Sequence, residues 1–230
     1  MGSRSPKSKN WRTSLVHRVA YVGAPLEFEI GGVIQIPVLR ISYQDLSTVG
    51  SIDGTVVFTS KRGIISLKKS NVSLKCDRIY CIGTQTSHYL KDLYSMDCTV
   101  PTLQTTEGLA EMLIGSETSI NLVASDLVDD AFLARLKSNG IGVRHIVSYR
   151  IEENREADYR PLHEADRILV GSSKSFEILH ENEGKLLNGK ELYAVGRPTE
   201  ETMNRLGYGV TERFDTPNIR VILNKLSTKR

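Results

Sequence analysis

The sequence predicts an α/β fold made of two similar lobes, each with a parallel sheet. Short apolar runs alternate with segments of helical periodicity along the 230 residues, the order that builds parallel sheets rather than sandwiches. Several runs are apolar at consecutive positions, as strands covered on both faces must be. An internal repeat is the third observation: "IYCIGTQTSHYLKDL" (Ile79–Leu93) aligns with "LYAVGRPTEETMNRL" (Leu192–Leu206), with Thr86 falling on Thr199. Upstream of each copy a strand ends in hydroxyls and a lysine, Thr59-Ser60-Lys61 in one and Ser172-Ser173-Lys174 in the other. Ser60 and Ser172 lie 112 residues apart.

Val19–Val22 and Val33–Ile36 read as the first strands. Val56–Phe58 leads through Thr59-Ser60 into a helix over Lys61–Lys68, and Ile79–Ile82 leads through Gly83 into a helix over Thr86–Leu93. Thr106–Leu113 is amphipathic, and Ile120–Ala124 is the next buried run. The helix over Asp129–Ser138 stops at Asn139-Gly140, which supplies a left-handed residue past its end. Strands follow at His145–Ser148, Ile168–Val170 and Leu192–Val195. The later helices cover Ser175–His180, Pro198–Leu206 (stopped by Gly207) and Pro217–Leu226.

The net charge of +3 is unevenly placed. Arg4, Lys7, Lys9, Arg12 and Arg18 sit in an acid-free leader, leaving 25 basic against 27 acidic side chains in the body. A nucleic-acid binder carries its basic footprint on the folded body, so no nucleic-acid partner is expected. No apolar run approaches the roughly 18 residues of a membrane span, and no secretory apolar region of about 7–15 residues precedes the first strand. Cys76, Cys81 and Cys98 are odd in number and lack metal-site spacing, which fits free thiols in a reducing cytoplasm.

Several tempting motifs fail. "HEADR" (His163–Arg167) has Arg where a zinc-protease helix needs its second His, so no metal site is expected. "GIGVRH" follows a helix and precedes a strand, the wrong order for a dinucleotide loop. "GSSKS" (Gly171–Ser175) lacks the second glycine of a nucleophile elbow. What remains is the set of residues at strand carboxyl ends, where open parallel sheets bind ligands. These are Thr59, Ser60 and Lys61; Gly83, Thr84 and Thr86; Ser172, Ser173 and Lys174; and Gly196, Arg197 and Thr199. Hydroxyls there cap helices, and first-turn N–H groups attract anions. As a set they suit a large polyanion.

These segments, in order, resemble the uroporphyrinogen-III synthase family. "TVVFTSKRGI" is similar to the family's strand ending in Phe-Thr-Ser, and "YCIGTQTSHYL" and "AVGRPTEETMNRLGYGV" to its Gly-x-x-Thr segments. "IPVLRI" (Ile36–Ile41) and "HIVSYRI" (His145–Ile151) resemble the two strands that pass between lobes. The resemblance implies two three-layer αβα lobes joined by a two-stranded β-ladder, one lobe inserted in the other. The first lobe would take residues 1–36 with 152–230 and the second 43–144, with 37–42 and 145–151 as linker strands. It further implies a cofactor-free, monomeric cytoplasmic enzyme whose substrate, hydroxymethylbilane, lies in a cleft lined by the strand-end residues. On this resemblance Tyr149 faces the cleft as proton donor.

Two departures from the family pattern stand out. "AYVGAPLEFEIGGV" leaves too little chain for the usual helix after the first strand, so that helix is expected to be shortened or absent. "SDLVDD" stands where an Arg-Gly turn is usual, so two rim bases are missing. A non-catalytic two-lobed tetrapyrrole or small-molecule binder is the alternative reading.

Overall fold

The computed structural model describes residues 18–216 and 218–229; the basic leader before Arg18, and Pro217 at the start of the last expected helix, lie outside the described residues. The order of elements is β1 (Val19–Gly23), β2 (Val33–Pro37), β3 (Leu39–Tyr43), β4 (Ser51–Phe58), α1 (Lys61–Lys69), β5 (Ser73–Cys81), α2 (Thr84–Tyr94), α3 (Thr106–Leu113) and β6 (Ser119–Ser125). There follow α4 (Asp130–Ser138), β7 (Gly142–Glu153), β8 (Arg167–Val170), α5 (Ser173–Glu183), β9 (Glu191–Val195), α6 (Arg197–Arg205), β10 (Glu212–Phe214) and α7 (Ile219–Thr228). Arg40–Glu152 form one compact unit, and the residues up to Leu39 and from Glu153 form the other.

The Arg40–Glu152 unit carries a sheet of order β3-β7-β6-β4-β5, parallel from β7 to β5. Alternation along β4 sends Val56 and Phe58 to one face, against Ile64 and Leu67 of α1 and Leu90 of α2. It sends Val57 to the other face, against Leu109 and Leu113 of α3 and Phe132 and Leu136 of α4. That is the three-layer arrangement a doubly covered parallel sheet requires. β7 is longer than the run His145–Ser148 suggests, and β3 lies along its outer side. Gln44 N donates to Ser148 O (3.0 Å) and Asn154 N to Val38 O (2.8 Å), so these two strands run antiparallel.

The other unit has the sheet order β10-β9-β8-β1-β2, parallel throughout. Tyr21, Leu169, Tyr193 and Phe214 face Ile222, Leu223 and Leu226 of α7. Phe176 and Leu179 of α5 and Met203 of α6 are buried as well, on helices that pack against each other and, through α5, on β1 and β8. The helix after β1 is absent; residues 24–32 form a loop whose Leu26 and Ile30 pack beside α7 instead. The short strand β10 escapes the hydrophobic pattern because Phe214 is its single apolar residue.

The repeat is real at the level of topology, but it is circularly permuted. Laying β4-α1-β5-α2 on β8-α5-β9-α6 puts α3 on α7, and β6 and β7 on β1 and β2. Even β10 has a counterpart: Thr99 makes a parallel bridge to Tyr80 on the outer side of β5. One unit therefore begins its chain at the strand where the other resumes after the insertion.

Candidate functional site

In each unit the chain leaves the central strand in one direction and returns on the other side, so a switch point lies between β4 and β6 and another between β8 and β1. Ligands of open α/β sheets bind beyond strand carboxyl ends at such points. The strand-end residues singled out from the sequence fall on four turns, two per unit, on neighbouring strands β4 and β5 and neighbouring strands β8 and β9.

At the β4–α1 turn, Ser60 Oγ accepts the Arg62 N–H (3.2 Å) and caps the helix. Lys61 and Arg62 open α1 with no acid in its first turn. This inverts the usual preference, since a helix N-terminus is already electropositive. Lys61 Nζ lies 4.7 Å from the centre of the Tyr89 ring and 3.4 Å from its hydroxyl, which holds the ammonium against α2. Thr59 is half-buried between cap and strand. Gly63 lets α1 close on β6: an added Cβ would stand 3.0 Å from Val123 O.

At the β5–α2 turn the structure adds a residue that the repeat does not reveal. Gln104 Oε1 accepts the Thr84 N–H at 3.0 Å and lies 3.4 Å from Thr84 Oγ1. It sits so close that a Cβ on Gly83 would be 2.7 Å from it. A neutral carbonyl thus occupies the spot where the helix would receive an anion. Thr86 is buried inside α2.

The β8–α5 turn repeats the first. Ser172 Oγ accepts the Ser175 N–H (3.2 Å) and contacts Ser175 Oγ (2.7 Å); Ser173 is half-buried and Lys174 exposed. No acid lies in the first turn of α5. Tyr21, also missed from sequence, reaches over the β1–β8 switch point. A Cβ on Gly23 would meet its hydroxyl oxygen at 2.3 Å and one on Gly171 at 2.6 Å. Those two glycines at adjacent strand ends are the only signal the sequence carried for it.

The fourth turn differs. Gly196 donates its N–H to Phe214 O (2.8 Å), and Thr199 Oγ1, 2% exposed, donates to Val195 O at 2.7 Å. That proton is used inside the fold, so Thr199 shapes the turn. Arg197 is exposed and paired with Glu201 (2.7 Å), and Glu200 lies in the first turn of α6 and binds Arg213 (2.6 Å). This helix end already carries carboxylates. So does α4 after "SDLVDD": Asp129 Oδ1 accepts the Ala131 N–H (2.9 Å), Asp130 opens the helix, and Asp126 accepts the Ile151 N–H (3.2 Å).

Tyr149 lies on β7 level with Ser125, the last residue of β6. From the pairing of Phe58 with Val123, Ser60 is at the same height two strands away, about 10 Å across the sheet. Tyr149 is 4% exposed. The four turns thus divide by charge: the starts of α1, α2 and α5 are free of acids, while that of α6 is not. Exposed Leu103 and Leu127 add apolar surface next to Gln104 and after β6. Among the described residues no group of three or more His, Cys, Asp or Glu is placed to hold a metal ion, and no helix is long and apolar enough to cross a membrane.

The sequence profile of the HEM4 family, uroporphyrinogen-III synthase HemD, matches residues 25–218. Comparison with curated protein sequences gives no match. Among solved structures, the chain is similar to a mutant uroporphyrinogen III synthase from the extremely thermophilic bacterium Thermus thermophilus, with TM-score 0.62 at 18% identity over 91% of this chain and 97% of that one. It is also similar to a uroporphyrinogen-III synthetase from Helicobacter pylori, with TM-score 0.67 at 13% identity over 93% of this chain and 100% of that one. At such identities the structural likenesses speak for the fold, whereas the profile runs through both units and takes in all four strand-end turns. The chain belongs to the uroporphyrinogen-III synthase (HemD) family.

Proposed function

We propose that the chain is a uroporphyrinogen-III synthase that closes hydroxymethylbilane, a linear polycarboxylate tetrapyrrole, with its ring D inverted. The family match over residues 25–218 carries the reading. The acid-free helix starts beside Lys61 and Lys174 give it a physical basis, because they suit carboxylates and offer no nucleophile.

The reaction asks little covalent chemistry of a protein. A pyrrole nitrogen expels the terminal hydroxyl to give an azafulvene, attack at the substituted carbon of ring D gives a spiro intermediate, and fragmentation and reclosure leave that ring reversed. The protein must hold the chain so that this closure outruns direct closure, which is catalysis by positioning. In this reading the α1 and α5 starts each bind a substrate carboxylate through backbone N–H groups, Thr59 or Ser173, and the adjacent lysine. Gly83 and Thr84 bind another once Gln104 yields its place, with Thr86 shaping the helix start, and Arg197 forms a weaker fourth position on a turn shaped by Gly196 and Thr199. Leu103 and Leu127 offer apolar contact to pyrrole rings. Tyr149 gives a proton to the departing hydroxide, which requires its hydroxyl to be uncovered when substrate binds. The free thiols fit a cytoplasmic enzyme, and we take it to act as a monomer.

Lys61→Met and Lys174→Met are each expected to raise KM about threefold to tenfold, the scale of one partly screened charge contact. Turnover number should change by less than about twofold, and the KM effect should shrink as salt is added. Steady-state kinetics with hydroxymethylbilane measure both. Unchanged KM in both variants would remove these helix starts from the substrate site.

A further inference from the structure

The synthase reading leaves the cysteines unused, yet the structure brings two of them together. Cys81 ends β5 and is fully buried, and Cys98 is half-buried in the segment after α2. Thr99 N donates to Ile79 O (2.8 Å) and Cys81 N donates to Thr99 O (3.0 Å), which fixes that segment along β5. Both side chains turn into the same core beneath α1 and α2. Because Thr99 pairs with Tyr80, Cys98 and Cys81 fall on the same face of adjacent strands as diagonal neighbours, and each thiol acts on the other's ionisation. On its other side the segment is pinned by the Lys91–Asp97 ion pair (2.8 Å).

We propose that Cys81 and Cys98 form a thiol–disulfide modification site, which low-molecular-weight disulfides such as glutathione disulfide close to an intramolecular bond. The two sulfurs have different parts. The neighbouring Cys81, first, and Ser87 hold the Cys98 thiol below the ordinary cysteine range, with burial opposing. Cys81 is pushed up by the neighbouring Cys98 and by burial. Cys98 is half-buried and Cys81 fully buried, so Cys98 is the sulfur that a small disulfide reaches first and the attacking thiolate. It displaces one glutathione thiolate and forms a mixed disulfide. The Cys81 sulfur then attacks the Cys98 sulfur, its proton passing to the second departing glutathione. Two protein thiols and one glutathione disulfide become one protein disulfide and two glutathione thiols. Cys76, five residues before Cys81 on the same strand, is the internal control: burial and the nearby Asp77 and Asp53 carboxylates push its thiol up.

The test is mass analysis of the full chain treated with glutathione disulfide at neutral pH, with alkylation kinetics run in parallel. The expected product has lost two hydrogens and yields a peptide pair joined through Cys81 and Cys98. In the untreated chain Cys98 should react with iodoacetamide at pH 7 at least about tenfold faster than Cys76. Cys81→Ser should stop at the Cys98 mixed disulfide, whereas Cys76→Ser should still close. A stable mixed disulfide in the unsubstituted chain, a bond through Cys76, or equal alkylation of Cys98 and Cys76 would each overturn the proposal.

Discussion

Arg167→Met is expected to lower the free energy of unfolding by about 2–4 kcal/mol, judged from the cost of leaving buried polar partners unmet. The Arg167 side chain is 5% exposed. Its Nη1 donates to Leu226 O (3.1 Å) and Lys229 O (2.6 Å), closing the carboxyl end of α7, while Nε donates to Glu191 Oε2 (3.1 Å). Methionine matches the aliphatic stem and brings no donor, so two carbonyls at the helix end lose their partner. Glu191, 46% exposed, regains water cheaply, and the loss falls mainly on the carbonyls. Urea unfolding measures the difference; a loss under about 1 kcal/mol would mean that water replaces the guanidinium at both carbonyls. The acid limb should change as well. Glu191 is held below the ordinary carboxylate range, first by the Tyr193 hydroxyl and then by Arg167. A carboxylate depressed in the folded state stabilises above its unfolded pKa, and that stability is lost as pH falls through its folded value. The variant should lose part of this acid sensitivity.

The largest kinetic effect is expected from Tyr149→Phe, which should reduce kcat by about a hundredfold or more if the hydroxyl is the proton donor. Phenylalanine keeps the ring that fills the site on β7, and the strand is held by backbone pairing from Ser119–Gly142 onward. Unfolding free energy should therefore stay within about 1 kcal/mol, the usual worth of one hydroxyl contact. A stability loss that accounts for all the lost turnover would return Tyr149 to a packing role. Unchanged kcat would move proton donation to another group, and Tyr21 over the β1–β8 switch point is the next hydroxyl to replace.

Consecutive apolar positions made the parallel strands legible: Val56-Val57-Phe58 and Ile168-Leu169-Val170 must serve two faces, and in the structure they do. The caps at Ser60 and Ser172 were legible because the hydroxyl and its N–H partner are two or three residues apart. What escaped was set by distance in sequence or by polar pairing. Gln104 reaches Thr84 from 20 residues away, Tyr21 meets Gly171 across two strands, and β10 rests on pairing with β9. The permutation of the repeat was hidden for a related reason, since order along the chain does not reveal which side of a strand its neighbour takes. Thr199 shows the converse: a hydroxyl in a ligand-like motif can turn its proton inward.

In the proposed mechanism the strand-end turns bend a linear tetrapyrrole into its inverted closure without covalent catalysis. Incubating the chain with hydroxymethylbilane and resolving the oxidised product isomers tests it most directly. The expected product is the type III isomer, formed faster than cyclisation without protein. Only the type I isomer, at the protein-free rate, would contradict it.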